Sequence, residues 1–292
     1  MEGVSENTLE QIRKRNKKRG NKKIKELVLI VLNLALVFIV IFPLFYAFSM
    51  SIRPEADLYN LDVGLIPKEF TLNNFINVFR TANVGVFIKN SLIVSTVIMV
   101  SQLISASLAA FAFRFLKFKG SGLIFALIMA TLMIPGEATI ISQYLMVSSW
   151  GLHDTLFAIM LPYLTSATGV FLFKQSFENF PMELYEYSKI DGCGDFRFFI
   201  SILLPLSRPT IAALSVISFL GAWNMYMWPL LITGSEKYRT VQIGIAMLNA
   251  ADSQSLLLML AGVVICMLPS LTIFLVARKN MIKGLTAGAV KS

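Results

Sequence analysis

Six long apolar stretches alternate with polar connections along this chain. They run at about Leu27–Met50, Val86–Phe113, Ser121–Ser149, Asp154–Phe173, Leu206–Ile232 and Leu256–Ala277. Each is long enough to cross a ~30 Å hydrocarbon layer as a helix. Helix is the form required there, because lipid offers no partner to an unpaired backbone group. The third stretch is broken by Pro135-Gly136. The pattern predicts an all-α membrane protein with six transmembrane helices, and no fixed-period repeat is visible.

The longest polar interruption in the second half lies between the fourth and fifth stretches and is patterned from Pro181 to Pro209. Pro181 suits the first turn of a helix, where its missing N–H costs nothing. Glu183 and Glu186 follow where the helix dipole favours acid, and Lys189 stands three residues beyond Glu186, within pairing reach. Gly192 sits where a helix stops in the left-handed conformation. Asp195 is placed to cap a second short helix with Phe196, Phe199, Ile200 and Leu203 on one apolar stripe. Pro205 and Pro209 end or kink it. The expectation is helix, tight turn, helix.

Of 292 residues, 56% are hydrophobic and 15% charged, with a mean hydropathy of +0.69. A soluble domain carries about 25% charged residues, so lipid is the main solvent here. The formal charge of +9 does not point to nucleic acid, because the basic residues cluster beside apolar runs and no base- or phosphate-reading motif occurs. Residues 1–26 form a basic tail with nine Lys or Arg and no acid between Arg13 and Lys25, read as disordered and held near anionic headgroups. The apolar run after it exceeds the h-region of a signal peptide and is read as a retained span. With the N-terminus in the cytoplasm, 20 of the 26 Lys and Arg fall on cytoplasmic segments, which is the positive-inside arrangement. Both termini and the segment 174–209 are then cytoplasmic, and 278–292 is a cytoplasmic tail. The long outer segment Ser51–Gly85 has room for a short helix lying on the outer surface.

Candidate chemistry is sparse. Cys193 and Cys266 suggest no disulfide framework, and a lone His153 cannot build a metal site. Away from the run ends, Glu137 is the one carboxylate inside an apolar stretch. It either faces a solute path at the Pro-Gly break or meets water near the outer interface. Trp223, Asn224 and Tyr226 in the fifth stretch suit a sugar ring, and suit equally an aromatic anchor with an amide bonding a neighbouring helix. No P-loop, G-x-S-x-G or H-E-x-x-H occurs, so the chain has no visible means of hydrolysing ATP or a peptide. Uphill transport would draw on a partner or an ion gradient, the latter making Glu137 a titrating site.

Glu186-Tyr187-Ser188-Lys189-Ile190-Asp191-Gly192, with Ile202-Leu203-Leu204-Pro205 after it, resembles the E-A-A-x-x-x-G loop and I-x-L-P of the inner-membrane permeases of binding-protein-dependent ABC importers. The sugar-importer subfamily that includes the smaller maltose permease subunit is the most similar. Tyr187 and Ser188 replace the two alanines. Met133-Ile134-Pro135, Pro181-Met182-Glu183-Leu184, Trp223-Asn224, Trp228-Pro229-Leu230 and the ending Lys283–Lys291 also resemble family text. The resemblance implies that Glu183, Glu186, Tyr187, Ser188, Asp191 and Gly192 form a coupling loop docking on a cytoplasmic ATPase. It implies that the tail at Gly284, Leu285, Thr286, Ala287 and Gly288 reaches between ATPase subunits. The implied partners are a second homologous permease, an ATPase dimer that binds ATP and Mg, an extracytoplasmic solute-binding protein, a sugar and membrane lipid. No cofactor is bound by this chain itself. A bacterial or archaeal cytoplasmic membrane is the implied location.

Overall fold

The computed structural model describes residues 6–59, 64–81, 83–116, 118–250 and 256–289. No strand occurs among them; the described elements are helices and their connections. In chain order these are α1 (Glu6–Ser51), α2 (Asn73–Thr81), α3 (Val84–Phe115), α4 (Ser121–Thr131), α5 (Gly136–Ser149), α6 (Leu156–Met160), α7 (Ala167–Glu178), α8 (Met182–Ile190), α9 (Asp195–Phe198), α10 (Leu204–Leu206), α11 (Arg208–Trp223), α12 (Met227–Ile232), α13 (Val241–Ala250) and α14 (Leu256–Ala289). Three helices are long and apolar enough to cross a membrane unbroken, at Lys25–Ser51, Val84–Phe115 and Leu256–Val276. Three bent pairs raise the count to as many as six.

The bends fall where backbone groups are set free. Ser121–Thr131 and Gly136–Ser149 meet at 97° across Pro135, whose φ of −60° and ψ of 130° cannot continue α4. Leu156–Tyr163 and Ala167–Glu178 meet at 45°, a break that the apolar pattern concealed. Its freed carbonyls are satisfied from α3: Gln102 Nε2 donates to the Tyr163 carbonyl at 2.8 Å and Ser101 Oγ to the Leu164 carbonyl at 2.8 Å. Ser218 Oγ on α11 donates to Gln102 Oε1 at 2.6 Å, so one polar network ties three spans. Ser166 caps α7 by accepting from the Gly169 N–H.

α3 is the hub of the packing. Its Ala106, Ala110, Phe111 and Phe115 join one core cluster with α7, α11 and the loop after α8. Val94 and Ile98 join a second with α5, α6, α11 and α12. Val84 and Phe87 join a third with α2, α11, α13 and α14. α13 stands outside the six apolar stretches read from the sequence. It packs so closely that a Cβ on Gly244 would lie 2.3 Å from Phe87 Cδ2.

Three expectations are revised here, and the short helix expected within Ser51–Gly85 is present. The basic tail does not stand apart from the first span: the α1 backbone is helical from Glu6, with the side chains of 6–24 outside the described residues. The sixth stretch continues as helix to Ala289. The fifth is two helices, α11 and α12, parted at Asn224-Met225-Tyr226. The short helix within Ser51–Gly85 is α2, fastened by Asn74 Nδ2 donating to the carbonyls of Ser51 at 2.9 Å and Arg53 at 2.7 Å.

Candidate functional site

The polar loop forms as a helix, a turn and a second helix. α8 begins after Pro181 and ends in a Schellman arrangement. Gly192 has φ +75°, its N–H donates to the Lys189 carbonyl at 3.0 Å, and the Cys193 N–H donates to the Ser188 carbonyl at 2.8 Å. Glycine is suited to that corner because a Cβ is strained at positive φ.

α8 has two unlike faces. Met182 and Tyr185 pack inward, and Ser188 is buried with its hydroxyl donating to the Tyr185 carbonyl at 2.7 Å. Tyr185 lies 5.0 Å from Phe115 and 5.0 Å from Phe198, ring centre to ring centre. The opposite face carries Glu183, Glu186 and Asp191, all exposed, between Leu184, Tyr187 and Ile190. Ile190 is 80% and Tyr187 64% exposed, a greasy ridge at helical spacing rimmed with acid. Of the residues expected to couple, Glu183, Glu186, Tyr187, Asp191 and Gly192 are exposed, while Ser188 braces the helix from inside. Leu184 and Ile190 belong to the exposed face and were missed. Their period in the sequence, 184, 187 and 190, was the available signal.

The second half of the loop departs from its reading. Asp195 does not cap a helix; Gly194 is the N-cap, with no side-chain bond. Asp195 instead turns back to α8. Its Oδ1 accepts from the Tyr185 hydroxyl at 2.5 Å and pairs with Lys189 Nζ at 2.5 Å. Lys189 therefore pairs across the turn, not with Glu186. The Lys189 ammonium, followed by the Tyr185 hydroxyl, holds the Asp195 carboxyl below the usual carboxylate range. Asp195 raises Lys189, while Tyr185 is raised first by burial and then by Asp195. The apolar stripe is also rotated. Phe199 and Leu203 are buried, but Phe196 and Ile200 are exposed, and Phe198 fills the core. A π-helical turn at Phe199–Leu203 shifts the register that a regular helix would keep. The kink comes at Ser207, and Asp195–Leu206 meets α11 at 79°.

The fifth-span break gathers the other candidates only in part. Trp223 is 1% exposed, and its indole N–H donates to the Cys266 carbonyl at 3.1 Å. Trp228 does the same to the Ile159 carbonyl at 3.1 Å. Asn224 is exposed and its Oδ1 accepts from Gln242 Nε2 on α13 at 3.2 Å. Tyr226 is 42% exposed. Glu137 is exposed in the first turn of α5, just past the 97° bend. Gln242 was not anticipated, because α13 was not. Cys193 and Cys266 are free thiols. The Gly284–Gly288 backbone is helical, and its side chains lie outside the described residues.

At the other end of the bundle, Asp154 organises a turn. Its φ of 59° is left-handed, which aspartate tolerates. Its Oδ1 accepts from the Gly234 and Ser235 N–H groups, each at 3.0 Å. Asn90 Nδ2 donates to the Lys237 and Arg239 carbonyls, fixing the segment after α12 to α3.

Residues 102–285 match the family described as the binding-protein-dependent transport system inner membrane component. The chain belongs to this family. Among similar members, the arabinooligosaccharides transport system permease protein AraQ of Halalkalibacterium halodurans is 34% identical over 259 residues, which is 88% of this chain and 93% of the relative. The sn-glycerol-3-phosphate transport system permease protein UgpE of Brucella suis is also 34% identical, over 85% of this chain and 92% of its own. The fold of this inner membrane component is shared with a bacterial ABC transporter involved in import of the acidic polysaccharide alginate. There the TM-score is 0.79 at 21% identity, covering 89% of this chain and 97% of the other.

Proposed function

We propose that this inner membrane component is the permease subunit of an ATP-driven carbohydrate importer. It supplies half of the translocation pathway and couples it to a separate cytoplasmic ATPase. The observation that carries the reading is the two-faced α8: one side is locked to the bundle, and the other leaves Leu184, Tyr187 and Ile190 exposed among carboxylates in the described structure. In this reading α8 docks in a cleft of the ATPase through Glu183, Glu186, Tyr187 and Asp191, with Gly192 shaping the corner and Ser188 bracing the helix. The tail at Gly284–Gly288 reaches between two ATPase subunits, which bind ATP and Mg. A second homologous permease completes the pathway, and an extracytoplasmic binding protein delivers solute to the surface built around Asp154 and Asn90.

Six spans with both termini in the cytoplasm are supported by the three unbroken helices, the three bent pairs and the distribution of Lys and Arg. The exposed amide of Asn224 at a span break, bonded to the half-buried Gln242, is costly against lipid. Asn224 and Gln242, with Tyr226 and Glu137, are therefore the proposed lining of the solute path. The buried Trp223 supports their backbone. A phosphorylated polyol such as sn-glycerol 3-phosphate is a second candidate solute, favoured by the relative that carries it at equal identity. Membership in a binding-protein-dependent family speaks against ion coupling through Glu137.

The test is purification of the tagged chain from its host in mild detergent, with a Glu186→Arg variant alongside. Wild type is expected to bring down an ATPase and a second permease, and the variant to lose the ATPase. Recovery of the wild-type chain alone overturns the importer reading.

A further inference from the structure

Only four residues, Asp191–Gly194, separate α8 from α9, and two of them are glycine. The Schellman bonds stop α8 but leave its direction relative to α9 dependent on that short turn. Three side chains cross the turn. The Tyr185 hydroxyl and the Lys189 ammonium both converge on Asp195 Oδ1, each at 2.5 Å, and the ammonium also lies 5.2 Å from the Tyr185 ring centre. Tyr185 is in turn wedged between Phe115, the last residue of α3, and Phe198 of α9. Phe115 and Phe198 also meet, at 5.5 Å.

We propose that Tyr185, Lys189 and Asp195 are positioning residues, a clamp that fixes α8 to α9 and to the end of α3. A push on the free face of α8 then moves α3 and α11 instead of being absorbed in the glycine turn. The proposal rests on the importer reading above.

A lone ion pair with side chains 40% and 43% exposed, like Lys189–Asp195, contributes little by itself. Here one carboxylate gathers a charged and a neutral donor, and the neutral donor sits on a ring packed against two others. Charge-assisted bonds with fixed donors are short and directional, which is the property a positioning device needs. The lowered Asp195 and raised Lys189 agree with both partners stabilising the ionised pair. α3 contributes to all three core clusters, so a displacement delivered at Phe115 enters the whole bundle. The free face of α8 contributes none of these three groups, so the clamp is separable from docking.

The experiment uses the complex purified through a tag on this chain. Cys193→Ser and Cys266→Ala remove the native thiols, and Leu116→Cys at the exposed end of α3 carries a fluorophore. Tyr185→Phe and Asp195→Asn are compared with wild type and with the exchanged pair Lys189→Asp plus Asp195→Lys. In the single variants, cleavage after Arg197 by an arginine-specific protease in inverted vesicles is expected to quicken about 5-fold or more. The ATPase remains bound, while the fluorescence response to ATP and vanadate is lost. The exchanged pair is expected to recover most of both, which a general folding defect would not. Unchanged cleavage together with an unchanged response in Asp195→Asn overturns the clamp. If wild type brings down no ATPase, the importer reading fails; cleavage after Arg197 still decides whether the clamp exists.

Discussion

Single residues set the loop between α7 and α11. Gly192 is fixed by backbone geometry, since its φ of +75° is costly for any residue with a Cβ. Gly192→Ala is expected to weaken the end of α8 by roughly 1–2 kcal/mol. Gly192→Pro costs more, because it also removes the N–H donated to Lys189. Faster protease cleavage of the loop would register both, and normal transport by the proline variant would count against the assignment. Asp195 illustrates how ionisation enters. Its pKa lies below the ordinary value, so its contribution is complete above about pH 4 and is lost as pH falls through the lowered value. Lys189 is raised, so its contribution is complete below about pH 10 and is lost as pH rises through the raised value. Loop cleavage by protease is therefore expected to stay flat between about pH 5 and 9, and a sharp rise near neutrality would rule out this pair as the holder of the turn.

At the scale of elements, the broken helices depend on donors from their neighbours. The bend between α6 and α7 leaves the Tyr163 and Leu164 carbonyls without helical partners, and Gln102 and Ser101 on α3 supply them. Gln102→Leu is expected to destabilise the bundle by about 1–3 kcal/mol by orphaning the Tyr163 carbonyl and the Ser218 hydroxyl. Thermal unfolding in detergent would measure it. α13 rests on α3 by the absence of a side chain. Gly244→Ala would drive a methyl into the ring of Phe87, which is 1% exposed and has nowhere to go. A loss of about 1–3 kcal/mol is expected, relieved in part when Phe87→Ala is added. These two sites show why the break inside the fourth stretch and the connection after the fifth were hard to read. Hydropathy records that residues are apolar, and Leu156–Phe173 is apolar on both sides of its break.

For the whole molecule, the first of the three unbroken membrane-length helices is the least buried. Leu27–Tyr46 are exposed almost throughout, and only Ala47, Ser49 and Ser51 near the helix end are buried. Lipid, or a second permease in the proposed importer, is the expected neighbour of that surface. The proposed orientation makes a further prediction. In a background without native cysteines, Tyr187→Cys should react with an impermeant thiol reagent only from the cytoplasmic side, and Lys237→Cys only from the outside. Reaction of both from one side would overturn the topology. Replacing the nine basic residues of Arg13–Lys25 with Gln should preserve this pattern, since the remaining Lys and Arg are still biased inward. The sequence by itself determined the all-helical class, the six apolar stretches, the break at Pro135, the corner at Gly192 and the family, because each rests on hydropathy, a local dihedral or a contiguous motif. Only the tertiary structure decided that Asp195 reaches back to Tyr185 and Lys189, that Ser188 is buried, that Trp223 is buried with its indole on the Cys266 carbonyl and that α13 pairs Gln242 with Asn224. Those facts depend on which face of a helix meets its neighbour, and a π-helical turn or a hidden bend changes that face without changing the composition that hydropathy reads.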